Sequence, residues 1–382
     1  MFPTMSKAAD SPTLLPVIDA LRGLAALAVV LHHVRVHLWV GWREIWNHPE
    51  SHSVADKALS LLAAPTPFMG AGVMLFFVIS GFCIHLPYAG ARDLHWGTYL
   101  LRRTLRILPP YWAAIGLTWI AEAVAALGAQ QPVSSLMTTV RSVLMIQNYG
   151  PSAGQMVGNP SLWSLPVEME LYLVYPVLLL MFRRLGLWAA GSVVVAVGLL
   201  AVLAHLTGYG VWCPKFSGYW LIWCGGALLA HKWSSGVLPR FPLLPSVVVI
   251  LALLASAIWG HLHGWAVGVK DGLWGGAFLF SIMILLDKGW ALPGQKFLVA
   301  VGKRSYSLYL IHFPLFVVLG TGWERLYAGK PVSFLVPLAA SVVALAGAWI
   351  FYRWVEYPSH LLAVRLGRRH PPGTILPDQV VP

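Results

Sequence analysis

The chain has 382 residues, of which 58% are hydrophobic and only 10% are charged. Soluble globular proteins carry about 25% charged residues, so this composition excludes a chain whose surface lies mostly in water. The net charge of +12 would suit nucleic acid in a soluble protein, but in so apolar a chain it is typical of Lys and Arg in cytoplasmic loops, and we expect no nucleic-acid partner.

Apolar stretches of about 20 residues recur along the chain and predict an all-α, polytopic membrane protein with about ten transmembrane helices. Alternate loops hold roughly twice as many Lys and Arg residues as the others, which places the N- and C-termini in the cytoplasm. We expect a cytoplasmic segment over 1–14, a transmembrane domain over 15–360 and a basic, partly disordered cytoplasmic tail over 361–382. The predicted spans are 15–38, 68–90, 109–128, 161–182, 187–206, 218–231, 243–261, 271–287, 305–322 and 334–352.

The first span, LPVIDALRGLAALAVVLHHV (15–34), holds charged and titratable groups that an apolar helix buries at a cost. Each charge at mid-membrane costs roughly 2.5–3.5 kcal/mol on the insertion scale. Asp19, Arg22 and His33 share one helix face, and Arg22 and His33 lie about 16 Å apart along the axis. This spacing predicts an Asp19–Arg22 pair near the cytoplasmic edge and an imidazole in the outer half. The alternative is a topogenic Arg and a core histidine.

The third predicted span opens with LLRRTLRILPPYW (100–112), where Arg103 and Arg106 lie one helical turn apart. A pair of guanidinium groups suits phosphate, although a plain positive-inside cluster is the alternative. Pro109 and Pro110 fit the start of a helix.

The fourth predicted span, SLWSLPVEMELYLVYP (161–176), places Glu168 one turn before Tyr172 inside an apolar run. Glu168 lies at a depth similar to that of His33, which predicts a contact in which the carboxylate fixes the imidazole tautomer. The alternative is a hydrogen bond that only packs helices together.

Near the C-terminus, VGKRSYSLYLIHFPLF (301–316) places Ser305, Tyr309 and His312 on one helix face. These residues either belong to a site or join helices through polar contacts. Further on, FYRWVEYP predicts a structural ion pair between Arg353 and Glu356. The remaining His and Cys residues show no metal-ligand spacing, so no metal site is expected.

Six segments, in this order, resemble the membrane-bound acyltransferase-3 family, whose members O-acylate bacterial glycans and some antibiotics. The resemblance covers about 14–360, the family's Arg-x10-His pair falls on Arg22 and His33, and its Arg-x-x-Arg motif falls on Arg103 and Arg106. Many members carry two adjacent acids in the fourth-span motif, whereas Met169 follows Glu168 here. The six segments are IDALRGLAALAVVLHH, GVMLFFVISGF, YLLRRTLRILPPYW, LWSLPVEMELYLVYP, GKRSYSLYLIHFPL and YRWVEYP.

The resemblance implies an O-acetyltransferase of the bacterial inner membrane, in contact with membrane lipid. Its donor would be cytoplasmic acyl-CoA, most often acetyl-CoA, and its acceptor a sugar or surface glycan, including a lipid-linked one, with no metal. The expected catalytic residues are His33 as general base and Glu168; Asp19, Arg22, Arg103 and Arg106 are expected to bind the donor, and Tyr172, Ser305, Tyr309 and His312 to contact the acceptor or the reacting oxygen.

A different class of protein also fits the composition. Many spans with charges inside the membrane are typical of a transporter, or of a flippase that moves acyl groups for another enzyme. The sequence shows no inverted repeat, and its pair of arginines beside a candidate base favours the enzyme.

Overall fold

The computed structural model describes residues 15–90, 93–129, 133–149, 154–209 and 213–368. Within these ranges the chain is helical and forms no β-strand, which confirms the all-α prediction. The helices are α1 (Pro16–Leu38), α2 (Trp42–Asn47), α3 (Val54–Ala63), α4 (Gly72–His85), α5 (Trp96–Ala129), α6 (Leu136–Val143), α7 (Ser164–Leu206), α8 (Trp220–Ser234), α9 (Leu243–Leu262), α10 (Val267–Lys288), α11 (Gln295–Gly302), α12 (Ser305–Tyr327), α13 (Leu335–Phe351) and α14 (Tyr357–Arg368).

Eight helical segments of the described ranges are long and apolar enough to cross a membrane, so this is a multi-pass protein. Ten spans were predicted, and two features of the helices account for the difference between ten and eight. The predicted spans 161–182 and 187–206 both lie in α7, where the non-helical backbone angles of Gly186 (φ 77°, ψ 168°) separate two helices, and the count of eight takes them together as Pro160–Ala204. The helix α8 has only 15 residues. The count of ten and the cytoplasmic placement of both ends stay predictions.

Both predicted terminal segments lie largely beyond the part of the chain that the structure describes. Residues 1–14 and 369–382 fall outside it, so the cytoplasmic segment and most of the basic tail stay predictions. Residues 361–368, which we assigned to the tail, continue α14 and pack with it against α5. Residues 361–368 are therefore helical, and the boundary of the transmembrane domain at residue 360 stays a prediction.

The bundle has a buried centre and a lipid-facing periphery. The most apolar stretches of the segments that contain α1, α4 and α12 are 56%, 67% and 72% buried, whereas those of the segments that contain α7, α9 and α10 are 22%, 17% and 17% buried. In a membrane, helices on the periphery expose apolar side chains to lipid tails at no cost. The polar residues singled out in the sequence on α1 and α12 therefore belong to the centre.

The prediction that Pro109 and Pro110 start a helix is wrong, because α5 begins more than three turns earlier, at Trp96. A proline inside a helix has no N–H for the carbonyl four residues before it. In a membrane that carbonyl needs another donor. The carbonyl freed by Pro109 is that of Leu105, and Ser359 on α14 donates its hydroxyl to it.

Two other internal prolines follow the same rule. Pro176 of α7 frees the carbonyl of Tyr172, which accepts a hydrogen bond of 3.2 Å from the Tyr99 hydroxyl of α5. Pro314 of α12 frees the carbonyl of Leu310, which accepts one of 2.9 Å from the Asn159 side chain. Each proline thus joins its helix to a neighbouring segment around the centre of the bundle.

Glycines allow two pairs of helices to cross at backbone contact. A Cβ atom on Gly23 of α1 would lie 2.0 Å from a backbone oxygen of α11, and one on Gly302 of α11 would lie 1.9 Å from a backbone oxygen of α1. Gly81 of α4 and Gly226 of α8 form a second such crossing. Small residues at helix interfaces are typical of membrane proteins. The first crossing brings Arg22 next to the start of α12.

Candidate active site

A cavity of about 120 Å³ lies among α1, α4, α5, α7 and α12. Its wall carries four basic side chains and two acidic ones, which favours an anionic ligand. Serine and tyrosine hydroxyls and apolar side chains complete the wall. The charged lining residues are Arg22, Arg103, Arg106, Lys303, Glu168 and Glu356.

The expected pair of Asp19 and Arg22 is present. Arg22 Nη1 lies 3.7 Å from Asp19 Oδ1, and the two side chains are only 14% and 6% exposed. Asp19 stands behind Arg22 and does not line the cavity, whereas Arg22 does. The carboxylate therefore holds a guanidinium group that faces the cavity.

Arg103 and Arg106 line the same cavity as Arg22. The guanidinium carbon of Arg103 lies 5.8 Å from the ring centre of Tyr99 and 5.7 Å from that of Tyr172, within the range of cation–π attraction. The charges of Arg22 and Arg103 also act on Arg106. Like charges held together in a partly buried wall repel each other, and an anion among them relieves that repulsion.

The expected contact between Glu168 and His33 is wrong. Glu168 Oε1 accepts hydrogen bonds from Ser80 Oγ at 2.9 Å and from the Tyr172 hydroxyl, and Trp223 Nε1 donates to Ser80 Oγ at 3.2 Å. The carboxylate is satisfied by a neighbour on its own helix and by α4. Glu168 and Tyr172 therefore form part of the cavity wall, away from His33.

His33 instead pairs with His312 of α12. His33 Nδ1 lies 2.9 Å from His312 Nε2, and His312 Nδ1 lies 3.0 Å from the carbonyl oxygen of Leu308. Because a carbonyl oxygen only accepts, His312 Nδ1 carries the hydrogen and His312 Nε2 accepts from His33 Nδ1. This order leaves His33 Nε2 without a hydrogen, which is the form that a general base needs.

Tyr309 stands between the cavity and the histidine pair. Its ring centre lies 5.8 Å from that of His312 and 6.1 Å from that of Phe76. Its hydroxyl donates to the carbonyl of Ser161 at 2.5 Å and bonds to Ser164 Oγ at 2.6 Å. Tyr309 and Phe76 line the cavity and His33 does not, so these two rings mark its end toward the histidines.

Ser305 and Tyr309 both line the cavity, whereas His312 lies beyond it, one turn further along the same helix. Ser305 Oγ has no hydrogen-bond partner among the described residues, while the Tyr172 and Tyr309 hydroxyls donate to protein acceptors. Ser305 is thus the predicted hydroxyl that can donate to a ligand without losing a bond within the protein.

The predicted ion pair between Arg353 and Glu356 is wrong. Glu356 is buried in the cavity wall and accepts from the Ser307 backbone N–H at 3.0 Å and from its hydroxyl, whereas Arg353 is exposed. Residues 352–356 form a π-helical turn. This wider turn breaks the 3.6-residue spacing on which the prediction relied.

Other cavity residues escaped the sequence analysis. Lys303, Tyr306 and Ser80 line the cavity, and none of them was predicted as a site residue. The quoted segments GKRSYSLYL and GVMLFFVISGF contain all three, so position within the resembling segments was the available signal.

Glu170, the second acid of the fourth-span motif, binds the outer loops. It accepts from the Tyr149 hydroxyl at 2.7 Å and from the Phe216 backbone N–H at 2.8 Å. Burial and the hydrogen bond to Glu170 raise the pKa of Tyr149 to about 12, so this hydroxyl stays a donor at neutral pH. Met169 stands where many family members carry the second of two adjacent acids. Glu170, one position later, binds segments outside the cavity.

In the part of the chain that the structure describes, no group of three or more His, Cys, Asp and Glu side chains could hold a metal ion. A family model described as "Acyltransferase domain" matches residues 15–353. This chain belongs to the acyltransferase-3 family. The membership confirms the resemblance.

Curated relatives of this acyltransferase-3 chain are distant in sequence. O-acetyltransferase OatA of Staphylococcus aureus is 24% identical over 383 residues, which cover 91% of this chain and 57% of the relative. Exopolysaccharide production protein ExoZ of Rhizobium meliloti is 27% identical over 298 residues, 75% of this chain and 88% of the relative. Nodulation protein 10 of Rhizobium leguminosarum bv. viciae is 25% identical over 377 residues, which cover 92% of this chain and 95% of the relative.

The chain spans little more than half the length of OatA, the first of these relatives. No solved structure matches this acyltransferase-3 chain.

Proposed function

We propose that this protein transfers an acyl group, in the first place acetyl, from cytoplasmic acyl-CoA to a hydroxyl of a sugar or surface glycan in the bacterial inner membrane. One observation carries the proposal: a basic cavity ends at Tyr309, whose ring lies 5.8 Å from that of His312, and His312 in turn bonds to His33 Nδ1 and leaves His33 Nε2 to accept a proton. The names of OatA and ExoZ, an O-acetyltransferase and an exopolysaccharide production protein, agree with this acceptor class.

The basic wall suits the phosphates of the donor. Arg22, Arg103 and Arg106 would bind them with charge-assisted hydrogen bonds, which are about twice as strong as neutral ones. Lys303 borders this cavity and also a groove along α11 that carries Lys296 and Arg304. A long ligand with phosphates at one end could therefore contact both surfaces while its arm enters the cavity.

The arm would follow the face shared by Ser305 and Tyr309 toward His33. Arg22 and His33 are separated by eleven residues of α1, about 16 Å of helix. Ser305 Oγ can donate to an amide of the arm. The acyl end would pass beside the rings of Phe76 and Tyr309, which mark the end of the cavity.

The chemistry then needs a base and an orienting group. His33 Nε2 takes the proton of the acceptor hydroxyl as the oxygen attacks the thioester carbon. The carbon–sulfur bond breaks, and the imidazolium returns the proton to the departing thiolate. His312 holds the ring of His33 in the required tautomer through the bond to its Nδ1. Glu168 keeps Tyr172 and Ser80 in place in the cavity wall.

The proposal is tested by thiol release from acetyl-CoA by the purified protein in nanodiscs, with and without a glycan extract as acceptor. We expect release that depends on the acceptor and falls by about 10²–10⁴-fold in His33→Gln. His263→Gln is the matched control, because His263 is exposed and stacks on Trp259 at the far end of α9.

Two results would contradict the proposal. Near-normal activity of a correctly inserted His33→Gln protein would remove the general base. Absence of thiol release by the wild-type protein under all acceptors, with movement of acyl groups across the membrane, would favour the flippase or transporter.

A further inference from the structure

The cavity is apolar at one end and charged toward the other. On α4, Phe76 lines the end that Tyr309 closes, with 6.1 Å between the two ring centres. One turn further along α4, Ser80 Oγ donates to Glu168 Oε1 at 2.9 Å, so the wall there is already polar. The apolar end is therefore short, and it lies within one helical turn of the first carboxylate.

The other helices of the wall show the same order. On α7, Ser164 Oγ bonds to the Tyr309 hydroxyl at 2.6 Å, and about two turns later the Tyr172 ring lies 5.7 Å from the guanidinium carbon of Arg103. On the α12 side, Lys303 lines the cavity just before the helix begins, whereas Tyr309 lies inside the helix. This order suits a ligand with an anionic head and a short apolar end.

Three aromatic rings line the apolar end: those of Phe76, Phe77 and Tyr309. Two of them are held by other side chains. The Tyr309 hydroxyl makes two hydrogen bonds, and the Phe77 ring is buried and lies 4.9 Å from the ring of Tyr219. Phe76 has no polar side-chain atom and keeps part of its surface exposed. Phe76 is therefore the ring whose removal lengthens the cavity without breaking a hydrogen bond.

We propose that Phe76 determines the length of the acyl group, so that the protein accepts acetyl and rejects acyl groups of four or more carbons. This inference rests on the proposed function, which places the phosphates of the donor at the basic wall and its acyl group at the apolar end. Because Phe76 and Tyr309 close that end, each further methylene of the acyl chain must displace a ring. A methylene that does not fit a hydrophobic pocket changes specificity by about 10- to 200-fold.

Binding of unreactive donor analogues tests the inference without catalysis. The probes are the thioethers S-ethyl-CoA, S-butyl-CoA and S-hexyl-CoA, measured by calorimetry with the purified protein in nanodiscs. We expect the wild-type protein to bind S-ethyl-CoA about tenfold or more tightly than the two longer thioethers. In Phe76→Ala the order should reverse, because the space left by the ring buries further methylenes, each of which contributes about fourfold in affinity.

The same change should appear in the reaction. We expect the ratio of kcat/KM for acetyl-CoA to that for butyryl-CoA, followed by thiol release, to fall about tenfold or more in Phe76→Ala and by less in Phe76→Leu. A ratio does not depend on how much of each variant is folded. Phe278→Ala is the matched control, because Phe278 is a half-buried ring of α10 that stacks on Trp274 and does not line the cavity.

Equal affinity of the wild-type protein for the three thioethers would overturn the inference. An unchanged order of affinities in Phe76→Ala would do the same, and where that variant does not fold, an unchanged kcat/KM ratio in Phe76→Leu decides against Phe76. A wild-type protein that binds none of the thioethers and releases no thiol from acetyl-CoA would instead refute the proposed function.

Discussion

His33 and His312 are 279 residues apart in the chain, yet His33 Nδ1 lies 2.9 Å from His312 Nε2. The bond joins α1 to α12, two of the most buried helices of the bundle. Because His312 is itself bound to the carbonyl of Leu308, the proton arrangement of the pair is set by the backbone. In the proposed mechanism His312 would therefore act through His33, as a positioning residue.

Replacement of His312 tests this role. We expect His312→Leu to lower kcat at least about tenfold, because His33 loses the acceptor that fixes its tautomer. The KM for acetyl-CoA should not change, because the basic wall lies elsewhere. His312→Gln offers an amide oxygen as acceptor and should recover part of kcat. Equal kcat values for the Leu and Gln variants would contradict the role.

The basic wall predicts a selective loss of donor affinity. Arg106→Gln should raise the KM for acetyl-CoA by about tenfold or more, since a charge-assisted hydrogen bond contributes roughly 1.5–3 kcal/mol. Arg102→Gln is the matched control. Arg102 is exposed on the same helix and donates to the Gly367 carbonyl of α14 at 3.2 Å. Similar KM values for the two variants would argue against a phosphate site at Arg106.

The bond between Asn159 and the carbonyl freed by Pro314 predicts a coupling energy. Asn159→Ala should lower the free energy of unfolding by about 1–3 kcal/mol, because it leaves a buried carbonyl of α12 without a donor. In a Pro314→Ala background the same change should cost less, since the backbone N–H gained there serves that carbonyl. Unfolding of the four proteins in detergent measures this double-mutant cycle. If the losses in unfolding free energy of the two single variants add to that of the double variant within about 0.5 kcal/mol, Asn159 does not compensate for the proline.

The crossing of α1 and α11 predicts that a single methyl group is harmful at Gly23. Gly23→Ala places a Cβ 2.0 Å from a backbone oxygen, which no side-chain motion relieves, so the helices must separate. We expect a loss of about 1–3 kcal/mol in stability and weaker acetyl-CoA binding, because Arg22 moves with the helix. Gly116→Ala, where a Cβ meets open space, is the control. Equal melting temperatures would contradict the tight crossing.

The sequence predicts best the side-chain contacts and directions that lie within a single helix. The spacing of Asp19 and Arg22 predicted their ion pair, and the periodicity of α12 predicted that Ser305 and Tyr309 face the same way. Both follow from the 3.6-residue repeat. The class of protein followed from composition in the same direct way.

Contacts between different helices could not be predicted from the 3.6-residue repeat. Depth in the membrane suggested Glu168 as the partner of His33, but equal depth does not fix which helices are neighbours, and α12 supplies His312 instead. Pro109 was interpreted as a helix start because the sequence does not show what satisfies the Leu105 carbonyl that it frees. The donor to this carbonyl is Ser359, which lies 254 residues after Leu105 in the chain. Glu356 was misassigned because a π-helical turn changes the direction of its side chain.

The rings of Phe76 and Tyr309 at the end of the cavity have a consequence for the cell. Tyr309 is held by two hydrogen bonds and lies against Phe76, so among the described residues these two rings stand between the cavity and the histidine pair. In the proposed reaction, such a barrier would let an acyl group reach His33 while hindering the passage of ions. The protein would thus modify molecules at the outer face without discharging the membrane potential.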